Sequence, residues 1–369
     1  MAEKIRVLQV TGSLRIGGLE TVAVNLYRFC DRSKYAFDYV VYGDAVEPME
    51  AVVEQLGARV FHIPYPHKGL GAYMKALKKI MAEHGPYDVV HSHSLFNSGF
   101  VMLAAKQMKI PVRISHGHSD RRNTKVSVPR RLYNGAMRLL INRYTTQKVA
   151  CSEGAGKYLF GRKFDEKVYI IRNGVYVDDF RYNPERAAKI RAEFGWENNK
   201  IIGHIGRLAP VKNQKWILQV FALAYEKDPS LRLLIAGDGE LREALQAEID
   251  RLGLGGIAVL AGTRTDTAAL QSAFDVYMMA SFYEGVSISL IEAQSSGVNC
   301  LSSDTAATPE TRVSDCLQLL PLSAPAERWA EALLTLAYKP RSSDSWEKVK
   351  ESGYDIVQIV GNASRLYGG

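Results

Sequence analysis

Cysteine is scarce and unpatterned in this chain. Cys30, Cys151, Cys300 and Cys316 are scattered with no C-x-x-C spacing, which disfavours a disulfide scaffold and a cysteine-held zinc site. Histidines come in two close pairs, His91/His93 and His116/His118, but beside no cysteine, so no metal site is expected. No segment approaches 18 uninterrupted apolar residues, so no transmembrane helix is expected. The opening Met-Ala-Glu-Lys-Ile-Arg-Val-Leu-Gln-Val has too short an apolar run for a signal peptide and reads as a first strand. With no export signal, reduced thiols and a cytoplasmic location are expected. Tandem repeats and low-complexity tracts are missing. Neither half carries G-x-G-x-x-G, which disfavours a nicotinamide dehydrogenase, and no glycine loop ends in the Lys-Ser/Thr of a P-loop.

Acidic residues are sparse in the first half. Residues 1–180 hold 27 Lys+Arg against 16 Asp+Glu, a balance of +11, and residues 181–369 hold 20 against 23, a balance of −3. The excess concentrates in Arg121, Arg122, Lys125, Arg130, Arg131, Arg138, Arg143 and Lys148. Region 113–148 is therefore either a solvated basic face or a contact for an anionic membrane surface, which would make the protein peripheral on the inner face of the cell membrane. No nucleic-acid motif accompanies the charge, and no nucleic acid is expected as partner.

Apolar runs alternate with helical patterns along the whole chain. Lys4–Thr11 reads as a strand, Gly12-Ser-Leu-Arg-Ile-Gly17-Gly18 as a glycine loop and Leu19–Phe29 as a helix, the opening of a doubly wound α/β fold. Strands are predicted near 37–42, 58–63, 89–91, 112–115, 148–151 and 169–171, with Ser152 as a helix cap. Residues 178–184 read as a linker. A second series begins at Ile201–Ile205, with further strands near 231–236, 257–261, 276–279 and 299–302. A chain of 369 residues accommodates two such domains, 1–180 and 181–350, with 351–369 as a last helical segment. Parallel sheets bind ligands beyond the carboxyl ends of their strands, so two facing sheets predict a site in the cleft between them.

The residues at those strand ends suit a ligand with hydroxyls at both ends and a diphosphate between. Gly17 and Gly18 would let backbone approach a phosphate or sugar. Gly206-Arg207 and Lys212 follow the first strand of the second series and could neutralise a diphosphate. Glu284 and Glu292 frame Gly285-Val286-Ser287-Ile-Ser289, a loop entering a helix, where free N–H groups suit phosphate and the carboxylates suit hydroxyls. His116 and His118 follow a strand end and one could face the ligand; His91 and His93 are weaker candidates, and His204 reads as structural.

At these residues the chain resembles the family-4 retaining glycosyltransferases of GT-B fold, of the kind acting in bacterial surface polysaccharide synthesis. The resemblance spans nearly the whole chain. It rests on Gly17-Gly18, the His116/His118 region, Ala150-Cys151-Ser152-Glu153, Arg172-Asn173-Gly174-Val175, Gly206-Arg207 with Lys212, Ala236-Gly237-Asp238-Gly239-Glu240-Leu241, and the E-x7-E pair Glu284 and Glu292. It implies two Rossmann-like domains, acceptor side first and sugar-nucleotide side second, with the terminal helix returning to the first domain. It implies that Arg207 and Lys212 bind the donor diphosphate, with Gly237 and Gly239 nearby, Glu292 the ribose and Glu284 the donor sugar, and that one of His116 and His118 contacts that sugar. The implied reaction moves a hexose from a nucleotide sugar, UDP by family habit with GDP open, to a saccharide or lipid-linked acceptor, needing neither metal nor cofactor. Gly297-Val298-Asn299 departs from the family's Gly-x-Pro. A sugar-nucleotide epimerase of the same fold and a non-catalytic basic membrane or nucleic-acid module are the alternatives.

Overall fold

In the computed structural model, residues 3–15, 18–119, 126–164 and 167–368 are described. Gly17 and the basic residues Arg121, Arg122 and Lys125 fall outside the described residues. The chain divides into two units, Met1–Asn173 with Ile356–Gly369, and Gly174–Asp355.

The first unit holds a parallel sheet of β1 (Ile5–Gly12), β2 (Tyr35–Tyr42), β3 (Val60–Ile63), β4 (Val89–Ser92), β5 (Val112–Gly117), β6 (Gln147–Ala150) and β7 (Val168–Ile170). Their spatial order is β3-β2-β1-β4-β5-β6-β7. Successive residues of β1 serve opposite faces, as strand geometry requires. Val7 joins a cluster with Val22, Leu26 and Phe37, while Leu8 and Val10 join Tyr73, Leu77 and Val101 on the other side. Ser152 caps the helix Glu153–Phe160, its hydroxyl accepting from the Ala155 N–H at 3.2 Å. The terminal helix Ile356–Ser364 buries Ile356, Ile359, Val360 and Ala363 in the same cluster as Val7. Just beyond it, Tyr367 meets Phe37 edge to face.

The second unit holds β8 (Lys200–Ile205), β9 (Leu231–Ala236), β10 (Ala258–Gly262), β11 (Val276–Met279), β12 (Asn299–Ser303) and β13 (Leu317–Leu320), in spatial order β10-β9-β8-β11-β12-β13. Both sheets are parallel throughout, and their strands read as apolar runs because helices cover both faces.

Three local features differ from the sequence expectation. β13 went unread because Leu-Gln-Leu-Leu is short and sits at the sheet edge. The expected linker at 178–184 is structured: Val177 and Phe180 are buried, and Asn183 caps a helix Pro184–Phe194 by accepting from the Arg186 N–H at 2.9 Å. The crossings between units fall at 173/174 and 355/356 rather than 180/181 and 350/351, since the Val175 N–H donates to the Tyr354 carbonyl at 2.8 Å within the second unit. Among the described residues no helix is long and apolar enough to cross a membrane.

Candidate active site

In each sheet the strand order reverses once, between β1 and β4 and between β8 and β11. At such a point the two following loops diverge to opposite faces and leave a crevice at the carboxyl ends of the strands. The predicted residues gather at these two places.

In the second unit, Arg207 and Lys212 leave β8 and Glu284 leaves β11. Two bonds stitch these loops together: the Phe282 N–H donates to the Val211 carbonyl at 2.9 Å, and Asn213 Nδ2 donates to the Ala280 carbonyl at 3.1 Å. The stitching brings Lys212 Nζ to 2.6 Å from Glu284 Oε1, with both side chains more than four-fifths buried. The sequence placed these two charges at different parts of a ligand; the fold makes them a pair. Arg207 is exposed, and among the described residues its guanidinium has no side-chain partner, so its planar fork is free for an anion. Gly237 lies at φ +141°, and a Cβ there would stand 2.0 Å from the Gly206 carbonyl oxygen; at Gly239 the corresponding distance to the Leu208 oxygen is 2.4 Å. These two glycines let the loop after β9 press on the loop carrying Arg207.

Glu284 precedes, and Glu292 lies within, the helix Ile288–Ser295. The Ser287 hydroxyl turns inward to Met279 Sδ at 3.3 Å, and Ser289 Oγ accepts from the Tyr277 hydroxyl at 2.9 Å. Both serine side chains are thus spent on packing, and what this segment offers a ligand is backbone N–H at a helix start, where the dipole favours negative charge. Gly285 and Val286 lie on the approach to that start, with nothing within 4 Å of a Cβ at Gly285. Burial pushes the Glu292 carboxyl up to about 7. Phe282 and Tyr283, immediately before Glu284, are exposed aromatics that sequence reasoning passed over; their position in Ser-Phe-Tyr-Glu was the available signal. His204 is structural as read: it is buried, its Nδ1 lies 2.9 Å from the Met278 carbonyl, and burial lowers it to about 4.

In the first unit, β4 and β5 lie side by side and bring the two histidine pairs together. His91 Nε2 lies 3.3 Å from His116 Nδ1, and His93 Nδ1 lies 2.7 Å from His118 Nε2. Gln9 Oε1 of β1 accepts from His93 Nε2 at 2.7 Å, and the Tyr367 hydroxyl lies 3.0 Å from His91 Nδ1. Gln9 and Tyr367 were not legible as site residues, because one sits in a strand and the other at the far end of the chain. His116 is fully buried and His118 is half-buried, so of the two His118 is the one placed to meet a ligand. Gly18 starts the helix Gly18–Arg28 after β1 and is exposed. The two histidine pairs lack a cysteine, but the fold gives them each other, and the ring nitrogens of His91, His93 and His116 lie within 4.8 Å of one another.

The chain resembles known proteins in both units. Residues 187–349 match the family model of glycosyl transferases group 1, and residues 16–179 match that of glycosyltransferase family 4. EpsF of Bacillus subtilis (strain 168), whose name is that of a glycosyltransferase, is 33% identical over 368 residues, 98% of this chain and 96% of its own. An Escherichia coli UDP-Gal:alpha-D-GlcNAc-diphosphoundecaprenol alpha-1,3-galactosyltransferase is 27% identical over 246 residues, 64% of this chain and 62% of its own. Among solved structures, Anabaena HepE in complex with UDP superposes with a TM-score of 0.76 at 19% identity, covering 98% of this chain and 99% of that one. HepE was also solved with UDP-glucose.

Proposed function

This chain belongs to the family-4 glycosyltransferases, and on that premise we propose that it moves a hexose-type sugar from a UDP-sugar to a saccharide or lipid-linked saccharide acceptor in polysaccharide synthesis. The observation that carries the reading is the gathering of Arg207, Lys212, Glu284 and the helix start at 287–289 around the reversal point between β8 and β11. The UDP carrier is supported by the UDP-Gal of the Escherichia coli relative's name and by the UDP and UDP-glucose bound to HepE. The lipid-linked acceptor is supported by the diphosphoundecaprenol in that same name.

The chemistry follows from the charges. The bond between the anomeric carbon and the phosphate oxygen breaks, and its electron pair stays on the diphosphate. Arg207, Lys212 and the N–H groups of the helix start would stabilise that charge with no metal ion at the diphosphate. The acceptor hydroxyl forms the new bond from the face the diphosphate leaves, its proton passing to a phosphate oxygen, so configuration is retained. Glu284 would hold donor hydroxyls, Glu292 the ribose diol, and His118 a donor-sugar hydroxyl. Transfer of labelled sugar to a lipid-linked saccharide, with the new linkage read by NMR, tests this: an α-linked product from an α-linked donor is expected, and a β-linked product would sink the retaining mechanism.

Glu292 gives a pH signature. Its carboxyl, raised to about 7, accepts ribose hydrogen bonds as the carboxylate. Nucleotide affinity is expected to rise with pH through about 7, and Glu292→Gln is expected to flatten that rise. Isothermal titration across this range decides it; an unchanged profile in the variant removes Glu292 from the ribose.

The first unit supports contact with an anionic membrane. The helix Val128–Tyr144 carries Arg130, Arg131, Arg138 and Arg143 and no acidic residue. Val128, Leu132 and Leu139 stand exposed on one stripe of it, at 67%, 71% and 74%. Beside them lies a groove of about 680 Å³ lined by Leu139, Phe160, Arg138, Arg143 and Arg162. Each cation near such a surface contributes about 1 kcal/mol, screened by salt, and the stripe would sink into the head-group boundary. Flotation with phosphatidylglycerol vesicles is expected, and Leu132→Glu with Leu139→Glu should abolish it. Equal flotation of wild type and double variant would refute the docking face.

A further inference from the structure

The histidine cluster of the first unit has a geometry that the transfer chemistry does not require. Four imidazoles converge beside the reversal point between β1 and β4, and the proposed transfer uses only His118. The nitrogens that face outward have partners on two of the rings: Gln9 Oε1 on His93 Nε2 and the Tyr367 hydroxyl on His91 Nδ1. The nitrogens that face inward are His91 Nε2, His93 Nδ1, His116 Nδ1 and His118 Nε2, turned toward one another in two close pairs. The remaining nitrogens, His116 Nε2 and His118 Nδ1, are buried and have no partner among the described residues.

We propose that His91, His93 and His116 form a binding site for a zinc-class divalent cation, with His118 beside the fourth position. Zinc takes imidazole nitrogen at about 2.0–2.1 Å, which sets neighbouring ligand atoms in a tetrahedron about 3.3–3.4 Å apart. The His91–His116 separation of 3.3 Å already has that value. All three ligand atoms lie within 4.8 Å of one another, so one ion could reach them all after a small contraction of the cluster. Gln9 and Tyr367 stand where outer partners of metal-bound imidazoles belong, each able to accept the outward N–H and so fix the tautomer that turns the lone pair inward. His91, His93 and His116 are buried, which favours the neutral imidazole that binds metal. Tyr367 also ties the site to the returning end of the chain, which becomes part of its support.

The site lies wholly in the first unit, and the diphosphate residues Arg207 and Lys212 belong to the second. Its test therefore reads binding. Tag-free full-length chain is stripped with chelator, incubated with Zn²⁺, desalted and assayed by plasma mass spectrometry. About one zinc per chain is expected for wild type and for the exposed-histidine control His67→Ala. His93→Asn and His91→Asn should each retain less than a tenth of that. Tyr367→Phe should bind about 10–100-fold more weakly, as loss of an outer partner does. Circular dichroism of the metal-free proteins checks folding, and loading wild type with Co²⁺ needs no variant: intense visible bands of a low-coordinate nitrogen site are expected. A pale octahedral Co²⁺ spectrum, or wild-type zinc no greater than in a folded His91→Asn protein, would overturn the proposal and leave the cluster as a set of neutral hydrogen-bonding rings.

Discussion

Lys212→Ala is expected to lower kcat for sugar transfer by roughly 10²–10³-fold, the usual effect of removing one preorganised charge from a developing anion. The donor KM should change by less than about tenfold, because the interaction strengthens as the sugar–phosphate bond breaks. The structure supplies the reason for so large an effect. Lys212 is held at 2.6 Å from Glu284 in a largely buried pair, so its position is set before any donor arrives. Preorganisation of this kind costs no rearrangement during the reaction. The variant also leaves Glu284 as a largely buried carboxylate without a counter-charge, so a second variant separates the effects: Lys212→Arg keeps the charge and should recover part of kcat, whereas Lys212→Met should not. A Lys212→Ala enzyme within about twofold of wild-type kcat would remove this residue from the chemistry.

Gly237→Val is expected to cost about 2–4 kcal/mol in the second unit, through a left-side backbone angle that a branched residue adopts poorly and through overlap with the Gly206 carbonyl. For a unit of this size that corresponds to a fall in Tm of roughly 5–15 °C. The damage should reach function, because the loop forced aside carries Arg207: nucleotide affinity is expected to fall in the residual folded protein. Gly285→Ala is the control, since no heavy atom lies within 4 Å of its Cβ position and its φ is not positive. Its melting curve should stay within about 2 °C of wild type. Differential scanning calorimetry of the two variants distinguishes a packing glycine from a merely permissive one; equal Tm values would refute the loop-on-loop reading.

Much of this architecture was readable before the structure. Apolar runs such as Leu231–Ala236 announce parallel strands because they are buried on both faces, and the helix-start loop between Glu284 and Glu292 announces itself through its glycine and serines. The unread parts of the two sites share a physical cause: they depend on contacts between segments remote in sequence. The Lys212–Glu284 pair spans 72 residues and forms only because β8 and β11 are neighbours. The meeting of His91 with His116 needs the register of β4 on β5, and its Tyr367 partner arrives from 276 residues away. The inward turn of Ser287 and Ser289 depends on Met279 and Tyr277 beneath them. The helix Pro184–Phe194 was missed because its charged surface outweighs a narrow buried face of Ala187 and Ile190.

The central claim is that one reversal point in the second unit activates a sugar nucleotide through Arg207, Lys212 and Glu284. Its most direct test is nucleotide release from a panel of UDP- and GDP-sugars, run with a lipid-linked saccharide acceptor and excess chelator, for wild type and Glu284→Ala. Acceptor-dependent release of UDP from one donor, lost in the variant, is the predicted result. Conversion of the donor to an isomeric nucleotide sugar with no acceptor consumed, or silence across the panel with no thermal shift by UDP or GDP, would contradict it.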